Sequence, residues 1–542
     1  MRGRFVFALT TAALSGFVAL SYEILWYRAF SFVSWSSPSA FGLLLGFYLL
    51  GVALGSLVAR KFCKPMETSN GAELIPLAAF LALANAVGFV VIPLLAWLST
   101  VEYAGTGTPD WPGHGESAWT LALVVVALSA ALFGAVLPLV AHFAIPADHR
   151  AGARLSYVYL ANIVGSALGS SFSGIVLMDH LSTRALSIAF LILGLALAAW
   201  AASLAEGKGR RAIFAATPFA AIVLVTSSPY LFSDLYERLL YKQTWKPEKR
   251  FVDVLENRHG VIAVSANGAV YGGGAYDGAF NVSLVDDKNG IERAFALSAL
   301  HPHPKRVCVV GLSSGSWVQV IAHLPEVESV DVIEINSGYL DLIAKSSAIR
   351  SILRNPKVRM HVDDGRRWFR RHPSEKFDVL VMNTSIHWRA HATNVLSREF
   401  HELTREHMLP GAVSYFNATS SPEAERTAAT VFPYAIRVVN FVAVSDTPIT
   451  FDRERFAKVL RETRIDGAEP ESLEKDAPLA WARFMELADS LLVEQDPSAA
   501  PRYALESRDH LLRRTAGVGV ITDDNMLSEW TRSFWEFQGP PL

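Results

Sequence analysis

Charged residues are distributed very unevenly along this chain of 542 residues, and this pattern constrains its fold more than any other feature. Residues 1–226 hold 21 of the 49 basic and 51 acidic residues, so about 9% of this part is charged, against about 25% of residues 227–542. The first composition is typical of membrane-embedded helices, and the second of a domain that buries a core of its own in water. The sequence therefore predicts a helical membrane domain followed by a globular domain.

The first part contains seven apolar segments of the length that a membrane span requires. A bilayer core about 30 Å thick needs about 20 apolar residues of helix. Six of these segments are predicted to span the membrane, and Pro218 and Pro229 weaken the seventh as a straight helix. The predicted spans are residues 5–26, 39–59, 74–100, 118–145, 155–178, 184–205 and 212–231.

The short loops between these segments predict an orientation in the cell membrane. Lys and Arg residues concentrate in alternate loops, while residues 101–117 contain none. By the positive-inside rule, the N-terminus lies in the cytoplasm. The globular domain stays on the cytoplasmic side if residues 212–231 re-enter or lie in the interface, and it emerges outside if they cross fully.

Two features inside the spans concern helix packing and polar groups. Small residues let helices approach closely in lipid, and the sequence offers Gly42, Gly46, Gly51, Gly55, Gly165 and Gly169. Glu23 is an ionisable group near the end of the first span, where such a group is costly and often functional. We interpret it either as a functional group or as a partner of Arg28, with His142 and Asn162 as other polar partners.

The second part divides by its patterns into three regions. Residues 232–300 read as a juxtamembrane linker and a small β-hairpin region with turns at 267–268 and 272–274. Residues 301–445 alternate short apolar strands, at 306–310, 330–335, 358–362 and 377–382, with loops and helices, among them one over 338–353. This alternation predicts a doubly wound, Rossmann-like parallel sheet. Residues 446–542 read as a helical C-terminal extension.

Residues at the expected ends of three strands predict an adenosine-containing ligand. Gly311 and Gly315 flank the loop after the first strand, Glu334 ends the second, and Asp364-Gly365 follow the third. In a doubly wound sheet, such a loop approaches a ligand closely, and the acid accepts hydrogen bonds from ribose hydroxyls. The alternative is a tight turn with solvated acids.

These motifs resemble the spermidine synthase (polyamine aminopropyltransferase) family, which has a class I S-adenosylmethionine fold. The N-terminal Ser-Tyr-Glu-Ile-Leu-Trp-Tyr-Arg run and residues 522–525 are similar to its membrane-anchored, multi-pass subgroup. The resemblance implies S-adenosylmethionine or its decarboxylated form as a substrate, with no metal. It also implies that Glu334 holds the ribose, Asp364 with Gly365 the adenine, and Gly311, Ser314 and Gly315 the methionine-like chain.

The chain departs from this family where the family carries its active carboxylates. The Asp-Ser-Ser-Asp run after the fourth strand is Asn383-Thr384-Ser385-Ile386 here, and Ser314 replaces the acid of the glycine loop. Asp287 and Glu292 remain as acidic candidates for substrate binding. These departures argue against ordinary aminopropylation of putrescine.

A cluster of other polar side chains follows the fourth strand. It contains His387, Trp388, Arg389, His391 and Asn394. One histidine is a candidate base, Asn383 is a candidate catalytic neighbour, and Arg389 is suited to an anionic group on the substrate. Alternatively, the histidines bond only the loop backbone, and Trp388 only caps the pocket.

The sequence thus predicts a membrane-bound transferase that alkylates an amine or hydroxyl acceptor by aminopropyl or methyl transfer. The expected partners are membrane lipid and a small-molecule acceptor, without nucleic acid, and a homo-oligomer is left open. The alternative is a non-catalytic, nucleotide-sensing or scaffold membrane protein that keeps the fold. A transporter regulated by the globular domain is a third hypothesis.

Overall fold

The computed structural model of the chain describes residues 2–63, 74–101, 116–207, 209–383, 387–419, 421–466, 478–489, 505–527 and 529. The chain divides into two compact units. The amino-terminal unit comprises Met1–Arg250 and Glu256–Val261, and the carboxyl-terminal unit comprises Phe251–Leu255 and Ile262–Leu542.

The described part of the amino-terminal unit contains seven helices that are long and apolar enough to span a membrane. They fall on the seven predicted segments, although the first extends to Val33. An eighth, short helix lies within the predicted linker, and most of its side chains are buried. The helices are α1 (Arg2–Val33), α2 (Ser39–Ala59), α3 (Leu74–Ser99), α4 (Glu116–Ala144), α5 (Ala151–Ile175), α6 (Thr183–Leu204), α7 (Arg210–Leu231) and α8 (Leu235–Tyr241).

Glycines bring two pairs of these helices into close contact. A Cβ atom built on Gly55 of α2 would lie 1.7 Å from the Ala131 carbonyl oxygen of α4, and one on Gly165 of α5 would lie 1.9 Å from the Ala13 carbonyl oxygen of α1. Gly51 and Gly169 make similar contacts, so the predicted packing role is confirmed for these four residues. It is wrong for Gly42 and Gly46, because nothing lies within 4 Å of a Cβ built there.

Arg28 does not pair with Glu23. Its Nη1 lies 3.1 Å from Glu256 Oε2, and its Nη2 donates to the Asn257 carbonyl oxygen at 2.6 Å. Glu256 also accepts from the Thr183 backbone N–H at 2.7 Å and from the Tyr236 hydroxyl at 2.9 Å. The pairing of Glu23 with Arg28 was therefore wrong, because a carboxylate 228 residues away in the sequence satisfies the guanidinium.

The expected alternative partners of Glu23 make other contacts or none. Asn162 Nδ2 donates to the Ala12 carbonyl oxygen at 3.1 Å. His142 Nε2 is buried without a hydrogen-bond partner among the described residues. Neither side chain therefore supplies a contact to Glu23 in the described part of the bundle.

The strands of the remaining chain form two sheets, and helices connect most of these strands. The strands are β1 (Phe251–Asn257), β2 (Gly260–Ser265), β3 (Ala269–Gly272), β4 (Ala275–Ala279), β5 (Arg306–Val310), β6 (Ser329–Glu334), β7 (Val358–Val362), β8 (Phe377–Met382), β9 (Met408–Asn417), β10 (Tyr434–Val438), β11 (Phe441–Ser445) and β12 (Leu505–Ser507). The helices are α9 (Glu292–Leu300), α10 (Ser316–His323), α11 (Gly338–Lys345), α12 (Gly365–Arg371), α13 (Arg398–Glu406), α14 (Pro422–Val431), α15 (Arg453–Glu462), α16 (Pro478–Asp489) and α17 (Arg508–Arg514).

The larger sheet has the predicted doubly wound core. Its strand order is β12-β10-β11-β9-β8-β5-β6-β7, and the small sheet has the order β1-β2-β3-β4. β5 pairs in parallel with both β6 and β8, so the chain winds away from β5 in two directions. The carboxyl ends of β5 and β8 form the switch point, where ligands bind in such sheets.

Alternating burial explains why the short apolar runs become central strands. Val307 and Val309 of β5 face one core cluster, whereas Cys308 and Val310 face the other. A parallel strand covered on both faces must be apolar at every position. The predicted bounds of β5, β7 and β8 are therefore confirmed.

Two local predictions differ from the structure. The helix expected over 338–353 ends at Lys345, and a short 3-10 helix follows at Arg350–Arg354. Residues 446–542 are not helical throughout, because β12 pairs antiparallel with β10. Glu506 on β12 accepts hydrogen bonds from Arg437 and Arg514 at 2.5–3.0 Å, and these fix the edge strand.

Candidate functional site

The glycine loop follows β5 and turns sharply towards α10. Gly311 and Gly315 have φ angles of +91° and +78°, in the region that favours glycine. A Cβ on Gly311 would lie 3.3 Å from the Asn383 carbonyl oxygen, and one on Gly315 would lie 2.8 Å from Ile352 Cδ1. Gly311 therefore packs against the end of β8 at the switch point, whereas Gly315 is buried against an apolar side chain.

Glu334 ends β6 beside this loop. Its carboxylate accepts from the backbone N–H of Leu312 at 2.7 Å and of Asn336 at 2.8 Å. Burial raises the pKa of Glu334, and these two hydrogen bonds act in the opposite direction. A carboxylate accepts about four hydrogen bonds, so Glu334 retains the capacity to bind ribose hydroxyls.

Asp364 and Gly365 lie at the end of β7, at the same edge of the sheet. The Asp364 side chain accepts from the Arg367 backbone N–H at 2.8 Å and caps α12. A Cβ on Gly365 would lie 3.0 Å from Val310 Cγ1, so this position brings α12 close to β5. Beside Asp364 lies an open cavity of about 420 Å³, which is lined by Asp364, Arg366, Arg367, Arg370, Arg371, Asn394 and Val395.

Arg366 ties this region to the C-terminal turn. Its guanidinium binds both carboxylate oxygens of Asp523 at 2.6–2.7 Å, and Ser397 donates to the same carboxylate at 2.7 Å. The hydrogen bonds from Arg366 lower the pKa of Asp523. The turn at 522–525 thus folds back onto the edge that carries Asp364 and Asn394.

Ser314 is buried in the glycine loop against the small sheet. Its hydroxyl lies 3.1 Å from that of Ser316, which donates to the Ala279 carbonyl oxygen at 2.7 Å. A Cβ on Gly278 would lie 2.8 Å from Ser314 Oγ. The position where the family resemblance expects an acid is therefore closely packed and uncharged.

The charge beside this loop is supplied by an ion pair between Arg389 after β8 and Asp277 of the small sheet. Arg389 Nη1 lies 3.2 and 3.4 Å from the two carboxylate oxygens of Asp277 on β4. The Tyr339 hydroxyl of α11 donates to the same carboxylate, and the Ser313 hydroxyl donates to the Asp277 backbone oxygen. Arg389 thus already has a carboxylate partner within the chain.

The side chains of Asp277 and Arg389 are largely buried, and a neighbouring glycine leaves room for them. The Asp277 side chain is 7% exposed and that of Arg389 is 24% exposed. Although burial alone would lower the pKa of Arg389, the Asp277 charge raises it. A Cβ on Gly272 would lie 2.1 Å from Asp277 Oδ2 and 2.2 Å from the Tyr339 hydroxyl, so the absent side chain makes room for the pair.

The two candidate histidines have different surroundings. His387 is buried, with Nδ1 2.8 Å from the Thr419 hydroxyl, and its backbone N–H donates to that oxygen at 3.0 Å. His391 is exposed, with a φ of +68°. Trp388 is half-buried, and residues 384–386 of the replaced acidic run lie outside the described residues.

Asp287 and Glu292 lie at the start of α9. Asp287 accepts from the backbone N–H groups of Asn289 and Ile291, each at 3.0 Å, and so it shapes the turn before the helix. Burial raises the pKa of Glu292 from 4.5 to about 8. Glu292 Oε2 and the Tyr415 hydroxyl are buried without a hydrogen-bond partner among the described residues.

The described structure therefore brings Gly311, Glu334, Asp364 and Asn383 to one edge of the sheet, at the ends of β5, β6, β7 and β8. Arg389 joins Asp277 beside the glycine loop. Within the described ranges, no three His, Cys, Asp or Glu side chains are grouped as metal ligands would be. The pairing of Asp277 with Arg389 and Tyr339 follows from no local pattern, because Asp277 and Tyr339 lie 112 and 50 positions before Arg389.

The family model that matches this chain lies in the carboxyl-terminal unit. Residues 295–446 match the family model described as "Spermine/spermidine synthase domain". A spermidine synthase of Dictyostelium discoideum is 32% identical over 120 residues, which are 21% of this chain and 39% of the relative. A polyamine aminopropyltransferase of Agathobacter rectalis is 29% identical over 104 residues, which are 19% of this chain and 36% of the relative.

The matches thus span less than two fifths of the length of these relatives. A crystal structure of spermidine synthase from Thermotoga maritima aligns with a TM-score of 0.34 and 15% identity, over 44% of this chain and 88% of that chain. The carboxyl-terminal part of the chain has the spermidine synthase-like, Rossmann-type α/β fold.

Proposed function

We propose that this chain is a membrane-bound transferase that alkylates an amine or hydroxyl acceptor with an adenosyl sulfonium donor, S-adenosylmethionine or its decarboxylated form. The observation that carries the proposal is the arrangement of Glu334 against the glycine loop at the switch point, inside the region that matches the family model. The family names of its relatives favour aminopropyl transfer in general.

The described residues fit such a donor. Gly311 and Gly315 hold the loop in a conformation that favours glycine, so the loop backbone would pass close to the donor. The Glu334 carboxylate would accept from ribose hydroxyls, and Asp364 at the end of β7 would bind the adenine amino group. When bound, the donor supplies a carbon next to a positively charged sulfur, at which displacement needs mainly alignment and removal of the acceptor proton.

His387 is the proposed base. The contact between Nδ1 and the Thr419 hydroxyl orients its ring, so Nε2 is the atom that would take the acceptor proton. Its place after β8 brings it to the edge where Asn383 and the glycine loop lie. Glu292 is the proposed binding group for the acceptor, because it is buried and its Oε2 has no hydrogen-bond partner among the described residues.

One observation favours a second candidate, a nucleotide-sensing membrane protein. Asn383 stands where the family resemblance implies an acid, and Arg389 is bound to Asp277 within the chain. A domain with these features would bind the nucleoside without consuming it. Both candidates therefore predict binding of the donor, but only the transferase predicts that the donor is consumed.

The membrane location is also a proposal. It is supported by the seven apolar helices and by the basic loops that predict a cytoplasmic N-terminus. Seven complete crossings would place residue 250 outside, whereas the donor is made in the cytoplasm, so we propose that α7 does not cross completely. A fluorescent protein fused after residue 250 should fluoresce in cells, and an alkaline phosphatase fusion should be inactive; the reverse result would contradict this placement.

Turnover is tested with the full chain purified in detergent. It is incubated with either donor and a panel of small amines and alcohols, and the released thioether nucleoside is measured by mass spectrometry. The transferase proposal predicts release that depends on the acceptor and is lost in His387→Asn. Binding of the donor without release for any acceptor would support the sensing candidate instead.

A further inference from the structure

The pair formed by Asp277 and Arg389 offers a ligand both signs of charge beside the glycine loop. Ser313 links the two places, because its hydroxyl donates to the Asp277 backbone oxygen. The charge of Asp277 also contributes to the raised pKa of Glu334, which is caused mainly by burial. The two carboxylates and the guanidinium thus form one group of interacting charges around the loop.

Ser314, the residue of the glycine loop that packs against the small sheet, is uncharged. Ser314 is buried, and its hydroxyl is packed against Ser316 and close to Gly278. A lone ammonium group would find no carboxylate at this position. The two forms of the donor differ at this end, because S-adenosylmethionine carries an ammonium and a carboxylate there, whereas the decarboxylated form carries the ammonium alone.

We propose that the donor is S-adenosylmethionine with its carboxylate retained, and that Arg389 binds this carboxylate while Asp277 binds the ammonium. This inference rests on the proposed function, and it names the substrate of the same site. It makes Arg389 the residue that determines specificity for the donor.

Charge balance supports this assignment. Glu334, Asp277 and Arg389 together carry one net negative charge when ionised. S-adenosylmethionine carries one net positive charge, and the decarboxylated form carries two. When the zwitterionic end of S-adenosylmethionine meets the ion pair, Arg389 gains the donor carboxylate as a partner and Asp277 gains the ammonium. The decarboxylated form brings only the ammonium, which leaves the guanidinium facing a like charge.

The Asp277 carboxylate has the capacity for further hydrogen bonds, because a carboxylate accepts about four. The Tyr339 hydroxyl also donates to Asp277, so it holds the carboxylate in place. The site is thereby preorganised for a head group with two charges.

The test measures the affinities of the full chain in detergent for both forms of the donor by calorimetric titration. The wild type should bind S-adenosylmethionine at least tenfold more tightly than the decarboxylated form. Arg389→Gln should weaken binding of S-adenosylmethionine about tenfold to a hundredfold, the range for a lost hydrogen bond to a charged group. The same variant should bind the decarboxylated form more tightly, because its ammonium then no longer faces the like charge of the guanidinium.

Arg405→Gln is the matched control, since Arg405 pairs with Asp446 on the surface of the same unit and should change neither affinity. Ser314→Asp restores an acid and should shift the preference towards the decarboxylated form. If Arg389→Gln does not fold, Arg389→Lys replaces it and should retain part of the preference. A merely structural role for Arg389 would weaken both ligands alike and would refute the inference.

The two proposals fail in different ways. Tighter binding of the decarboxylated form by the wild type would overturn the inference about Arg389 and leave the transferase proposal standing. Absence of binding for both forms would overturn the proposed function itself, and the inference with it.

Discussion

Replacement of Glu334 by Gln tests the most constrained side chain of the candidate site. The Glu334 carboxylate accepts from Leu312 and Asn336 at 2.7 and 2.8 Å. The glutamine amide keeps the shape and one acceptor oxygen, but its NH2 group would face one of these N–H donors. Hydrogen bonds to charged groups contribute about 1.5–3 kcal/mol.

The effect on stability follows from opposing contributions. Loss of one charged hydrogen bond destabilises the loop, while the neutral amide avoids the cost of burying a charge, which is the cause of the raised pKa of Glu334. We therefore expect a net loss of about 1–2 kcal/mol. In a domain of this size, this corresponds to a melting temperature lower by roughly 2–6 °C.

The effect on binding should be larger than the effect on stability. If the carboxylate accepts from the ribose hydroxyls, its loss removes about 1.5–3 kcal/mol, which corresponds to roughly tenfold to 150-fold weaker binding. The assay is calorimetric titration of the full chain with methylthioadenosine, a neutral ligand that isolates the ribose contribution from that of the sulfonium.

Glu328→Gln provides the control for this experiment. Glu328 precedes the same strand, pairs with Lys305 at 2.8 Å and is 65% exposed. Exposed pairs of this kind contribute little, so both stability and affinity should stay near the wild-type values. A folded Glu334→Gln variant that binds methylthioadenosine within threefold of wild type would refute the assignment of Glu334 to the ribose.

Four further predictions concern other parts of the chain. His387→Asn should abolish turnover and leave donor affinity nearly unchanged, whereas His391→Asn, at an exposed position, should retain turnover; the opposite pattern in the mass-spectrometric assay would exchange their roles. Because the pKa of Glu292 is raised to about 8, protonated Glu292 stabilises the fold at low pH, and this stabilisation is lost as pH rises from about 4.5 through 8. Glu292→Gln should therefore show a smaller decline in melting temperature over this pH range than the wild type. An unchanged pH profile would contradict the raised pKa. Glu506→Gln leaves the buried Arg437 without its anionic partner, while Arg514 keeps Glu425, and it should cost about 3–5 kcal/mol in chemical unfolding. A loss below about 1 kcal/mol would show that the edge strand is held by other contacts. Gly55→Leu should lower the thermal stability of the purified protein, since no side chain fits against α4, and a stable variant would contradict that packing.

The sequence predicted those elements whose cause is local. The apolar runs at 306–310, 358–362 and 377–382 became strands with the expected bounds, since a strand covered on both faces needs only apolar residues. The seven apolar segments became seven helices for a similar reason. Hydrophobic length and continuity are properties of a single segment, so they can be read without the rest of the fold.

Features that depend on distant pairs could not be predicted in this way. Glu23 was assigned to Arg28 because they lie five residues apart, but the fold brings Glu256 to that guanidinium. The strand at 505–507 forms because Glu506 meets Arg437 from another edge strand. In both cases, the decisive partner is far away in the sequence, and no local pattern marks it.

The candidate site shows both kinds of feature. Glu334 and Asp364 could be placed from the sequence, because each follows a strand and the ends of parallel strands meet at one edge. Arg389 was expected to hold an anionic group on a substrate. The structure adds that it pairs with Asp277 of the small sheet, an ion pair that no local pattern specifies.

The central claim is that the carboxyl-terminal unit binds an adenosyl sulfonium donor at the glycine loop. Its most direct test is calorimetric titration of the full chain, purified in detergent, with S-adenosylmethionine, decarboxylated S-adenosylmethionine and methylthioadenosine, alongside Glu334→Ala. The account predicts saturable binding of at least one sulfonium form by the wild type and its loss in the variant. If the folded wild type binds none of the three ligands, the claim is contradicted.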